Sequence, residues 1–188
     1  MSLLPPRCPP GGATPRIPPL PYAEWDTEAL SVISGGRKLP PSNVLGLLAR
    51  YPALARAFLT FNVHLLTAST LPARTRELAI LRVAWRRRGR YEWAQHVLIA
   101  RRAGVTDEEI AGIRAGAPTL ITQAVDELDE RSCLSDETYQ ALAADLDDRQ
   151  LMDLVFTIGT YGLLAMAFNS FGVELDPGLD DGDFGTAS

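Results

Sequence analysis

Three observations predict an all-α chain of seven to nine helices. Between about residue 23 and residue 175, apolar side chains recur at three- and four-residue spacing almost throughout. Ser, Thr and Asp stand where helix N-caps belong, and glycines stand where helices should stop. No run alternates apolar and polar convincingly over six residues, and no Asn-Gly or Asp-Gly hairpin signal lies inside the body.

The elements follow in order. Asp26 and Thr27 can cap a short helix to Ser34, which Gly35-Gly36 stops. Ser42 caps the next, and Pro52 marks a break or fresh start near Tyr51. Leu54, Ala57, Phe58, Phe61, Leu65 and Leu66 then trace one helical face to about Ala68. Pro72 sits at a first-turn position, so a long helix over 73–88 follows, ended by Gly89. A second helix, 91–103, comes almost at once and stops at Gly104. Thr106 to Glu109 is a capping box opening a helix to about Ala115, broken by Gly116 and Pro118. Helices are expected over 120–131, from Ser135 to Leu146, and from Asp147 or Asp148 to Phe171, where Gly172 ends the last.

The chain has 188 residues, enough for one ordinary domain. Three segments are expected: a Pro-rich extended arm over 1–21, a single domain over 22–175, and an acidic flexible tail over 176–188. The arm holds eight prolines in 21 residues and should be extended and mobile, or draped over the body. It lacks the basic and continuously apolar regions of a secretory signal, and a cytoplasmic location is expected. With 18 basic against 23 acidic residues the net charge is −5, which argues against a general nucleic-acid binder. The longest apolar stretch, 154–168, is short for a membrane span, contains glycines, and reads as a buried or subunit-interface helix. Cys8 and Cys133 form no CxxC pair and read as free thiols, so dithiol chemistry and a thiolate zinc site are unavailable.

Chemistry concentrates on two consecutive helices. Glu77 shares a stripe with Ile80, Leu81 and Ala84, where a carboxylate loses water and needs a partner. It can instead serve the helix dipole or pair with Arg74 or Arg76. Glu92 and His96 are four apart and project from one face of the next helix. The short connection at Gly89 can fold that helix back and bring Glu77 to the same place. Two carboxylates and an imidazole would then meet in an apolar cavity suited to proton transfer near neutrality, with one carboxyl held protonated by mutual repulsion. The plain alternative is a solvated i,i+4 pair. His64 either lines the same cavity or is a satisfied core histidine. With one histidine in the cluster, no metal is expected. Arg86 to Arg90 with Arg101-Arg102 reads as a solvated helix end or an anion site, and Gly159 and Gly162 as close-packing positions or a ligand contact.

Residues 71–110 (LPARTRELAILRVAWRRRGRYEWAQHVLIARRAGVTDEEI) resemble the core signature of the carboxymuconolactone decarboxylase family, related to the alkylhydroperoxidase D proteins. The last helix and its sequel, LDDRQLMDLVFTIGTYGLLAMAFNSFGVEL, are similar to the usual family ending. The resemblance implies an alkylhydroperoxidase D-like helical bundle with a central helical hairpin, assembled as homotrimers or hexamers with pockets near subunit interfaces. In the peroxidase branch a glutamate stands nineteen residues before a histidine, and a Cys-x-x-Cys pair ends four before it. Glu77 and His96 have that separation, but the cysteine positions fall on Gly89 and Glu92. The decarboxylase branch also carries a glutamate four before the histidine, which implies cofactor-free loss of carbon dioxide from a carboxylated unsaturated lactone. This chain departs from it in Glu77 and Trp93.

The expectation is therefore a cofactor-independent acid–base enzyme, a decarboxylase or isomerase of such a lactone or a related conjugated acid. His96 transfers the proton, Glu92 orients it, Glu77 is the second carboxylate, and Tyr91, Trp93 and His64 shape the pocket. A non-catalytic oligomeric small-molecule-binding protein on the same fold is the alternative, and peroxidase-type activity comes last.

Overall fold

The computed structural model describes residues 14–28, 30–34, 39–182 and 184. Among them are nine α-helices and no strand: α1 (Ser31–Ser34), α2 (Asn43–Ala49), α3 (Pro52–Val63), α4 (Ala73–Arg86), α5 (Arg90–Arg102), α6 (Asp107–Ala115), α7 (Leu120–Arg131), α8 (Asp136–Ala143) and α9 (Asp148–Phe171). The all-α expectation holds, and most boundaries follow the caps. Ser42 accepts from Leu45 N–H, Thr106 and Glu109 close a reciprocal capping box, and Asp147 and Gln150 form another at the start of α9.

The differences are local. The helix expected from the Asp26-Thr27 cap to Ser34 is only the four-residue α1, with a 3-10 turn at Tyr22–Glu24 before it, and Gly35-Gly36 lie outside the described residues. Past Val63, α3 widens into a π-helical turn, His64–Ala68. The helix expected to reach Leu146 ends at Ala143.

α4 is the hub, packing against α5, α6, α7 and α9. Residues 79–84 are all buried, as the nearly all-round apolar pattern requires. One core cluster joins α4 to α7 and α9 through Ile80, Val83, Val125, Leu154 and Tyr161. A second lies between α4, α5 and α6 around Leu81, Trp93 and Ile113. The basic end of α4 is laced to acidic α7. Arg82 donates to both oxygens of Asp126 at 2.8 and 2.7 Å, Arg86 reaches Asp129 and Glu130 at 3.0 and 2.9 Å, and Arg87 pairs with Asp129. The arginine cluster is thus partly an internal strap between two helices rather than a wholly solvated end.

The turn between α4 and α5 has an unexpected origin. Gly89 N–H donates to Ala84 C=O across the helix end, yet the left-handed residue is Arg88, at φ 53°. Gly89 itself has φ −75°, so backbone freedom does not explain it. A Cβ there would sit 2.7 Å from Glu92 Oε2, which does.

The described parts of the arm and of the tail both touch the body. Arg16 N–H donates to Phe171 C=O and Leu20 N–H to Gly46 C=O, so residues 14–21 of the arm are draped, while residues 1–13 lie outside the described residues. The tail expected to be flexible from residue 176 is anchored where it is described. Asp176 accepts from Asn43 N–H at 2.6 Å and from the Tyr91 hydroxyl at 2.5 Å, Arg90 pairs with Asp181, and Phe184 packs on Trp85 and Trp93 at 5.2 and 5.6 Å between ring centres. Charge composition had hidden these anchors, because an aspartate under a phenol and a helix N-terminus looks like any other acid in a polar tail.

Candidate active site

The hairpin brings Glu77 on α4 against His96 on α5. Glu77 is 0% exposed, and its Oε2 lies 2.6 Å from His96 Nδ1. Its other oxygen accepts from Arg76 Nε at 3.1 Å. Both oxygens of this buried carboxylate are therefore occupied, as its loss of water demands. With Nδ1–H donating to Glu77, the imidazole tautomer is set and Nε2 is left as the basic nitrogen. Nε2 makes no hydrogen bond to any described residue.

Glu92 is placed quite differently. It is 3% exposed, and neither carboxyl oxygen has a hydrogen-bond partner among the described residues. Burial pushes its carboxyl up to about 7. An unpaired buried carboxyl is costly when charged, so Glu92 is mainly the neutral acid below about pH 7 and ionises as pH rises through that value. Gly89 supplies the room beside it, with Ala165 of α9 on the far side of that space.

α9 adds Tyr161, whose ring stands perpendicular to His96 with centres 4.8 Å apart. Its hydroxyl is raised well above the ordinary phenol range, first by burial and then by the charges of Glu77 and Glu92, with Arg76 acting the other way. It stays a phenol, and it makes no hydrogen bond to any described residue. Five polar side chains, Arg76, Glu77, Glu92, His96 and Tyr161, thus share an otherwise apolar interior where three helices meet.

Of the sequence-predicted trio, Glu77 and His96 meet directly, while Glu92 lies one helical turn before His96 on α5 with its carboxyl unpartnered. Glu77, not Glu92, holds the imidazole, and Glu92 is the carboxyl left free. The expected pocket residues are not brought there. Tyr91 bonds Asp176 and packs on Phe168; burial and then the Asp176 bond push its hydroxyl up to about 12. Trp93 stacks with Trp85 and Phe184 in the second cluster, under the Arg114 guanidinium. Helical geometry is the reason: positions 92 and 96 lie about 40° apart around the axis, whereas 91 and 93 are each about 100° from 92. His64 lies in the π turn with 56% of its side chain exposed, 3.5 Å from Asp153. It is neither a pocket residue nor a core histidine.

Sequence reasoning passed over Tyr161 and named Arg76 only as a structural partner. A lone tyrosine inside an apolar helix is the signal for the first, since its hydroxyl must be carried into the core. Among the described residues no three His, Cys, Asp or Glu gather as a metal-ligand set. A cleft of about 250 Å³ lies elsewhere, between α4, α7 and α9, lined by Val83, Leu128, Gly159, Gly162 and Met166 among others. None of the five clustered side chains lines it.

Residues 52–125, from the start of α3 into α7, match the model of the carboxymuconolactone decarboxylase family. That match covers the segment carrying α4 and α5 and less than half of the chain. The matched segment contains Arg76, Glu77, Gly89, Glu92 and His96 and stops before Tyr161. Two solved structures share the fold. An alkylhydroperoxidase D core, an uncharacterized peroxidase-related protein from Ralstonia eutropha JMP134, superposes with a TM-score of 0.69 at 17% identity, covering 88% of this chain and 95% of its own. An uncharacterized peroxidase-related protein from Silicibacter sp. TM1040 gives 0.68 at 16%, covering 97% and 100%. At such identities the likeness is one of fold. No curated protein matches the chain. The helical-hairpin core implied by the resemblance is therefore present, as the α4–α5 pair that carries the site.

Proposed function

We propose that this chain is a cofactor-independent acid–base enzyme, a decarboxylase or isomerase acting on a carboxylated unsaturated lactone or a related conjugated acid. The observation that carries the reading is Glu92, a buried carboxyl with two unpartnered oxygens one helical turn from an imidazole already oriented by Glu77. His96 Nε2 takes or gives the proton, and Glu77 stabilises the imidazolium that forms. Glu92, neutral below about pH 7, is the second acid. In decarboxylation, the bond from the ring carbon to the carboxylate breaks and carbon dioxide leaves. The electron pair delocalises into the conjugated carbonyl, and the carbon that is left receives a proton from His96 or Glu92. In isomerisation, the same pair removes a proton from one carbon and returns it to another.

A thiol-based peroxidase route lacks its nucleophiles. Gly89 and Glu92 occupy the cysteine positions of that branch, and Cys133 is exposed in the connection between α7 and α8. The assembly belongs to the same reading: a cytoplasmic homo-oligomer, trimer or hexamer, with the outward stripe of α9 as its contact face.

The test is incubation with carboxylated unsaturated lactones and conjugated acids in deuterated buffer, followed by mass spectrometry. Loss of carbon dioxide, or deuterium gained at carbon, is expected for the wild type and absent for His96→Gln, with helicity unchanged. Ligand recovered unaltered from both proteins would favour the non-catalytic binding protein instead.

A further inference from the structure

We propose that Arg76 holds a carboxylate of the bound ligand, so that the site takes an organic anion. The inference rests on the reading above only in seating the ligand among Glu77, Glu92 and His96.

Arg76 has five N–H donors and spends one of them, Nε–H, on Glu77 Oε1 at 3.1 Å. The four N–H groups at the end of the guanidinium make no hydrogen bond or ion pair with any described residue. Yet only 12% of this side chain is exposed. Arg82, at 10%, instead engages all three of its nitrogens, on Asp126 and Ile113. The guanidinium end keeps a narrow access to solvent, so its donors are open to an incoming ligand while the rest of the side chain is enclosed.

The surroundings select the ligand's charge. Glu77 is answered by His96 as well as by Arg76, so the guanidinium charge is only partly consumed. Below about pH 7, where Glu92 is mainly the neutral acid, it adds little negative charge to repel an anion. Tyr161 offers a free O–H close enough to Arg76 for the cation to ease its ionisation. The planar end of a guanidinium matches the two oxygens of a carboxylate and fits a single carbonyl less well. A carboxylate so held places the conjugated part of the molecule toward His96 and Glu92, where protons move.

Maleate is a suitable probe, with dimethyl maleate as its neutral counterpart and inorganic phosphate as the simple oxyanion. Binding is read from the His96 imidazole NMR signals and from the thermal midpoint, neither of which needs turnover. Maleate is expected to bind saturably. The ester and phosphate should bind at least about tenfold more weakly, and Arg76→Met should weaken maleate by a similar factor. Arg76→Lys, which keeps the charge and loses the fork, should fall between, and the His96→Gln protein should still bind, followed by its thermal midpoint. Circular dichroism and the ligand-free midpoint of each Arg76 variant guard against loss of fold.

Three results would overturn the inference: no maleate binding by the wild type, equal binding of maleate and its ester or phosphate, or Arg76→Met binding as tightly as the wild type. Anion binding through Arg76 without conversion of any lactone or acid would leave this inference standing and remove the proposed enzyme activity. Turnover of a conjugated acid or carboxylated lactone with the same KM in wild type and Arg76→Met would do the reverse.

Discussion

Glu92 concentrates the physics of the site in one side chain. Its carboxyl is raised to about 7 by burial, against about 4.5 in the unfolded chain. The folded state therefore binds a proton more readily than the unfolded state does. The stability this contributes is fully present below about pH 4.5 and is lost as pH rises through about 7. Arg76, Glu77, His96 and Tyr161 are the polar groups around it, and none of them makes a hydrogen bond to it. Glu92→Gln should thus stabilise the protein at pH 8, by something on the order of 3 kcal/mol, and change little at pH 4. Urea denaturation at the two pH values measures this, and an equal effect at both would contradict it. Gly89→Ala places a methyl 2.7 Å from the Glu92 oxygen and should cost about 1–3 kcal/mol, much of it relieved when Glu92 is also changed to Ala. The i,i+4 spacing of Glu92 and His96 announced the shared face, and the stripe position of Glu77 announced burial. Which glutamate would hold the imidazole was not legible, because spacing gives the face of a helix and not the partner across the hairpin.

Helices and their ends were the most legible level, since each boundary is decided within a few residues by caps and stops. The π turn after Val63 and the left-handed Arg88 carry no local sequence signal of the kind that caps and glycines supply. The α7–α8 junction shows how a contact between neighbouring helices is fixed. Glu127 accepts from Ser135 N–H at 2.7 Å, from Thr138 Oγ1 at 2.8 Å and from Gln123 at 3.3 Å. The Ser135 backbone N–H, then the side-chain donors, pull its carboxyl down to about 2 against the opposing effect of burial. A depressed carboxylate lends stability above its unfolded value near 4.5, and that stability is lost as pH falls toward about 2. Glu127→Gln should lower the thermal midpoint at pH 7 and converge with the wild type in strong acid. A constant difference across that range would show that packing, rather than charge, is what Glu127 provides.

At the scale of the molecule, α9 faces two ways. By length and composition it could cross a membrane, yet 61% of its apolar window is buried inside the bundle, where Leu154, Ile158 and Tyr161 join the core. Its other face leaves Met152, Phe156, Leu163 and Met166 exposed, and at Gly159 and Gly162 an added Cβ would meet nothing. An apolar, uncharged stripe of that length is unusual on a lone protein surface. Light scattering should therefore find an assembly larger than the 20.4 kDa chain. Phe156→Glu with Met166→Glu should return it to monomers with helicity intact, and a wild-type monomer would remove α9 as a contact face. The sequence reading of this helix as buried or interfacial needed only its composition. Tyr161 needed the fold, because only the packing of α9 on the hairpin shows what its ring meets.

The account as a whole depends on a buried carboxyl that exchanges its proton near neutral pH, one helical turn from an oriented imidazole. Carbon-13 NMR of protein labelled at the glutamate carboxyl carbons, titrated through the acidic and neutral range, tests it most directly. One resonance, missing from Glu92→Gln, should titrate with a midpoint about 7. A Glu92 carbon that titrates with the ordinary surface glutamates would contradict the account.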